Sequence, residues 1–112
     1  MEDKIKTWLE DILISIAEIE EFLPEKKDFF VFQKVLKTKR AIERNLEIIG
    51  GSVSRILKIK PDFPLKNSSK IVDSRNRIIH GYDTVSDEIV WTIVVRDLPK
   101  LKKETTQLLN QK

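Results

Sequence analysis

The sequence contains no cysteine and only one histidine, one tyrosine and one methionine. The absence of cysteine excludes disulfides and thiol chemistry. With no cysteine and a single histidine, a zinc site within one chain is not expected, nor is any other cofactor. Long apolar runs are missing too. None approaches the ~20 residues that a membrane-spanning helix requires. The opening residues Met1-Glu2-Asp3-Lys4 begin an acidic amphipathic stretch, without the basic start and uniform apolar core of a signal peptide, so the expected location is the cytoplasm. Glycine occurs three times and proline four times, which leaves long stretches without a helix breaker.

What remains is a chain of 112 residues, 40% hydrophobic and 35% charged. It is too apolar for a disordered segment and too charged for a membrane protein. Its length suits a single domain over 1–112. The formal net charge is +3, but the charges are unevenly placed. Residues 1–30 carry nine acids and four bases, whereas residues 31–60 carry two acids and eight bases. The basic middle comprises Lys34, Lys37, Lys39, Arg40, Arg44, Arg55, Lys58 and Lys60. Such a zone can attract a polyanion such as RNA. Charge alone favours a plainer reading, a solvated helix face paired with the acidic first helix.

Periodicity gives the elements. Ile5, Trp8, Leu9, Ile12, Ile16, Ile19 and Phe22 fall at helical spacing, and Pro24 closes or follows that helix. Phe29, Phe32, Leu36, Ile42, Leu46, Ile49, Val53 and Ile56 predict a long second helix, with a joint near Lys37–Arg40. The pair Gly50-Gly51 inside it costs about 1 kcal/mol per residue against alanine. It implies either a kink or the close approach of another helix. Pro61, Pro64, Asn67, Ser68 and Ser69 mark a loop, with Ser68 or Ser69 able to cap the next helix. That helix spans about Lys70 to His80 and stops at Gly81. A last helical region begins near Ser86, with Asp97 capping a fresh turn and Pro99 near its start. The β-branched cluster Ile89–Val95 could form a strand, but no partner strand is visible. Trp8 and Trp91 read as core residues. The expected fold is all-α, an up-and-down bundle of about five helices.

The informative segment precedes Gly81. On a helical wheel, Ile71, Val72, Ile78 and Ile79 define an apolar stripe, and Arg75 lies in its middle. A charge placed there must be paired. Asn76 and His80 sit four residues apart on a neighbouring face. His80 occupies the last turn, where the helix dipole favours its protonated form. Tyr82 follows the glycine. The arginine of the stripe, an asparagine, the only histidine and the only tyrosine therefore fall within eight residues.

Arg75-Asn76-Arg77-Ile78-Ile79-His80-Gly81-Tyr82 fits the pattern R-x-x-x-x-H-x-Y and resembles the HepT-like branch of the HEPN superfamily. The likeness extends to Ala41-Ile42-Glu43-Arg44-Asn45-Leu46-Glu47-Ile48-Ile49-Gly50, to Ile89-Val90-Trp91 and to Asp97-Leu98-Pro99-Lys100-Leu101. Two places depart from the pattern. Gly51-Ser52-Val53 stands where members often carry an acid and then alanine, and Pro64-Leu65 stands where a tryptophan often follows the proline. The resemblance implies a HEPN-like helical domain that forms a homodimer. It implies a toxin of a toxin–antitoxin pair, acting as a metal-independent endoribonuclease in a cleft shared by two subunits. It implies RNA as substrate and a minimal nucleotidyltransferase antitoxin as partner. Arg75 and His80 take the catalytic positions, Asn76 a supporting one, and Tyr82 that of the acceptor onto which the partner transfers AMP. The alternative is a non-catalytic helical partner that is only the AMP-acceptor substrate of the nucleotidyltransferase. The plainest reading is a helical interaction module, favoured if no nucleotidyltransferase is encoded next door and Arg75 is ion-paired within the monomer, for instance to an acid of the first helix. His80 as a simple C-capping residue and Tyr82 as a packing ring belong to that reading.

Overall fold

The computed structural model describes residues 2–23, 29–79 and 87–111, and within the helix at 69–79 it leaves undescribed the side chains of Ser74, Arg77, Ile78 and Ile79. Helix α1 spans Asp3–Phe22. Its Ile5, Leu9, Ile12, Ile16 and Ile19 are all buried, one stripe at the spacing read from the sequence. Leu23 then turns extended, at φ −82° and ψ 138°. That is the conformation forced on a residue preceding proline. A short α2, Phe29–Lys34, is followed by α3, Leu36–Ile59. The joint expected near Lys37–Arg40 lies earlier, at Val35, whose ψ of 94° breaks the helix. Tying α2 down are aromatic contacts. Phe29 and Phe32 lie 6.0 and 5.2 Å, ring centre to ring centre, from Trp91. Trp8 and Trp91 are half-buried against the core rather than inside it.

Helix α3 is the centre of the bundle. It packs α1 on one side and α4, Ser69–Ile79, on another, while the last helix leans on α1. Its 24 residues run as unbroken α-helix through Gly50-Gly51, so the glycine pair makes no kink. The loop before α4 is pinned at several points. Leu65 is buried in the core. The backbone N–H and the side-chain amide of Asn67 donate to Glu104 at 3.3 and 3.2 Å. The Ser68 hydroxyl donates to the Leu65 carbonyl at 3.0 Å, and the Val72 N–H donates to the Ser68 carbonyl. The start of α4 is thereby fixed from both sides.

The last region is one continuous rod rather than two helices. It comprises α5, Asp87–Thr92, a π-helical turn, Ile93–Asp97, and α6, Leu98–Asn110. Asp97 does not cap a fresh turn. It is helical at φ −85° and ψ −37°, makes no capping bond, and meets its neighbour Arg96 at 3.4 Å. The physical reason is Pro99. It has no N–H to donate and its ring crowds the carbonyl four residues back. The wider π turn absorbs that misfit without ending the helix. With this rod, α1, α2, α3 and α4, the described residues form five helical rods and no strand, as the periodicity predicts. Among them no helix is long and apolar enough to cross a membrane.

Candidate functional site

The site is built where α4 crosses α3. Ile71 is fully buried and anchors α4 in the core. One turn later, Arg75 lies directly over Gly50. A Cβ placed on Gly50 would stand 2.6 Å from the Arg75 Cβ, 3.0 Å from its Cγ and 3.4 Å from the Ile71 carbonyl oxygen. The glycine pair therefore marks a close helix approach, and the partner is the arginine of the motif. The two glycines are not equivalent. A Cβ on Gly51 would meet only the far end of the exposed Arg55, at 3.5 Å.

Arg75 is half-buried. Its Nη1 donates to the Asn76 Oδ1 at 3.0 Å. Its Nε is buried and has no hydrogen-bond partner. Among the described residues no carboxylate forms an ion pair with it; the pairs present are Lys39–Asp87, Arg96–Asp97 and Lys102–Glu20. The plain structural reading, in which Arg75 is paired with an acid of α1, therefore finds no support among these residues. A buried donor without a partner is costly, and a guanidinium held in a fixed pose with unfilled N–H groups suits a bidentate anion. Arg75 and Asn76 are thus brought together. His80 and Tyr82 lie outside the described residues, as do Gly81 and the side chain of Arg77.

The surrounding charges differ from the plainer expectation. Lys34, Lys37, Arg40, Arg44, Arg55, Lys58 and Lys60 are all exposed. Among the described residues none forms an ion pair with the acidic first helix, and the only ion pair reaching α1 comes from Lys102 of α6, at 2.8 Å to Glu20. The cause is geometric. Helices α1 and α3 meet through their apolar stripes, which turns the charges of both outward. Periodicity did not single out the group formed by Lys39, Asp87 and Glu43. Lys39 bonds Asp87 at 3.3 Å, joining α3 to the start of α5. Burial raises the Glu43 carboxyl above the ordinary carboxylate range, and the nearby Asp87 charge raises it further, against the opposing pull of Lys39. The available signal was the four-residue spacing of Lys39 and Glu43, which puts them on one face of α3. Among the described residues no cluster of histidines and carboxylates could hold a metal ion.

The comparisons with known proteins point one way. A family model described as "Ribonuclease HepT-like" matches residues 12–108. The chain is similar to the "Probable ribonuclease HepT" of Thermococcus cleftensis, 34% identical over 109 residues that span 92% of this chain and 94% of that protein. It is also similar to two proteins of Methanocaldococcus jannaschii. "Putative RNase MJ1380" is 35% identical over 102 residues, covering 89% of this chain and 92% of that one. "Putative RNase MJ0127" is 30% identical over 109 residues, covering 94% and 87%. No solved structure matches the chain significantly. The matched span takes in the Gly50–Arg75 crossing and nearly all of the bundle, and by it the chain belongs to the HepT-like ribonuclease family.

Proposed function

We propose that this chain is a metal-independent endoribonuclease, the toxin of a toxin–antitoxin pair, with Arg75 and His80 as its cleavage centre. The observation that carries the reading is Arg75 itself. It is a half-buried guanidinium in a helix seam, with a buried Nε lacking a partner and no carboxylate pairing it among the described residues. A cation kept in that state with no counter-charge among the described residues suits an external anion, and the family points to the RNA phosphate.

The chemistry follows from RNA's own nucleophile. The 2′-hydroxyl attacks the adjacent phosphorus, and the 5′-oxygen of the next nucleotide leaves. A base must take the hydroxyl proton and an acid must protonate the leaving oxygen. His80 moves these protons, since an imidazole titrates near neutrality, at roughly 6.5 when unperturbed. Arg75 stabilises the extra negative charge on the phosphorane, and Asn76 orients the guanidinium through its 3.0 Å bond. One histidine cannot serve as base and acid in the same step. A homodimer with two motifs on a shared cleft supplies both, each copy lending one His80 and one Arg75. In this reading the partner is a minimal nucleotidyltransferase that transfers AMP from ATP to the Tyr82 hydroxyl and releases pyrophosphate. The added phosphate then competes with substrate for the arginine.

The test is cleavage of total RNA, including tRNA, by the purified chain in EDTA, beside His80→Ala. Cleavage by the wild type alone, with the variant lower by about 10³-fold, is the expected result. No cleavage by a folded, unmodified wild type would favour the non-catalytic AMP-acceptor reading instead.

A further inference from the structure

Gly50 lies outside the R-x-x-x-x-H-x-Y motif, yet a Cβ added there would stand 2.6 Å from the Cβ of the motif's arginine, closer than any ordinary contact. We propose that Gly50 is a positioning residue for RNA cleavage, acting through Arg75; the inference rests on the reading of Arg75 as a catalytic cation.

The case is steric. The Arg75 Cβ is fixed to the α4 backbone, so it cannot swing away as the end of a flexible side chain can. A methyl group at position 50 would lie 2.6 Å from that Cβ, with the Ile71 carbonyl oxygen behind it at 3.4 Å. Both contacts belong to α4 and are one turn apart. Relief therefore requires α4 itself to retreat until the Cβ atoms reach a separation of roughly 3.5–4 Å. Yet α4 is not free to retreat at its start, where Leu65 and Ile71 are buried and Asn67 is bonded to Glu104. The displacement falls instead on Arg75. Among the described residues its head group bonds only Asn76, on the same helix, so nothing on another described element recovers the lost position. A misplacement of about an ångström at a reacting centre can cost on the order of 10²-fold in rate. Gly51 supplies the internal control. It has the same residue type and helix but opens onto a flexible, exposed side chain.

The experiment compares kcat/KM for RNA cleavage in the full chain carrying Gly50→Ala, Gly51→Ala, Arg75→Ala and the pair Gly50→Ala with Arg75→Ala. Each is assayed where circular dichroism shows it folded. The expected result is a loss of about a hundredfold for Gly50→Ala, none for Gly51→Ala, and less than threefold further loss when Gly50→Ala is added to Arg75→Ala. A purely structural role would lower both backgrounds alike, and multiplicative losses overturn the inference. If Arg75→Ala is impaired while folded Gly50→Ala cleaves like wild type, the inference falls and the cleavage-centre reading stands. If Arg75→Ala itself cleaves like wild type, both fall. Where Gly50→Ala yields too little folded protein, the exchange Gly50→Ala with Arg75→Gly decides, because it moves the Cβ from one helix to the other. A yield of folded protein above that of Gly50→Ala alone supports the contact, and no recovery overturns the inference.

Discussion

The two seams of α3 are made differently. Towards α1, Ile42, Leu46, Ile49, Val53 and Ile56 meet the stripe Ile5 to Ile19, and all are buried. Each such side chain removed from water contributes roughly 1.5–3 kcal/mol. Towards α4 a glycine faces the stem of an arginine, with an unpartnered Nε beside it. The first seam is redundant, since many side chains share the packing. The second is not, since one missing Cβ and one asparagine set one guanidinium. Stability is concentrated in the first seam and the proposed chemistry in the second.

That contrast can be broken from either side. The largest expected effect on folding is Leu46→Ala in the first seam, a loss of about 2–5 kcal/mol in urea unfolding. Cleavage per folded molecule should be unchanged, and a matching loss of activity would show that the seams are not separable. In the second seam, Asn76→Ala removes the bond that orients Arg75 and is expected to lower kcat about tenfold, the scale of one hydrogen bond to a charged group. Its melting midpoint should stay within a few degrees of wild type, because the pair is only partly buried. The smallest effect is Glu43→Gln. Burial first, then Asp87, holds the Glu43 carboxyl above its ordinary value of 4.5, so the folded state binds that proton more tightly than the unfolded chain. Ionised Glu43 weakens the fold, an effect absent below 4.5 that grows as pH rises through the raised value. Thermal melts should show Glu43→Gln above wild type at neutral pH, with the gain vanishing as pH falls below 4.5. A gain that persists in acid would assign it to packing instead.

The α1–α3 seam was legible from sequence because apolar spacing alone determines it. Ile5, Leu9, Ile12, Ile16 and Ile19 occupy one helical face whatever they pack against. Pro99 was visible as well, but its consequence was not. Whether a proline ends a helix or widens it into a π turn depends on what continues beyond, and Asp97 carries the same letters in either case. The Gly50-Gly51 pair shows the same limit at the site. Two adjacent glycines look alike in sequence, and only the crossing of α4 sets Gly50 against a fixed Cβ and Gly51 against the far end of a flexible side chain. Arg75 stood out because it interrupts an apolar stripe, and that it has no ion pair among the described residues became evident only from the packing. His80 and Tyr82 rest on the motif alone.

The most direct test of the division between the two seams is a paired measurement on Arg75→Ala, RNA cleavage in EDTA and the thermal midpoint on the same preparation. The account predicts a rate lower by about 10²–10³-fold with a midpoint equal to or above wild type, since the substitution removes a buried donor that has no partner. Full cleavage, or a midpoint that collapses along with the rate, would contradict it and make Arg75 a structural residue.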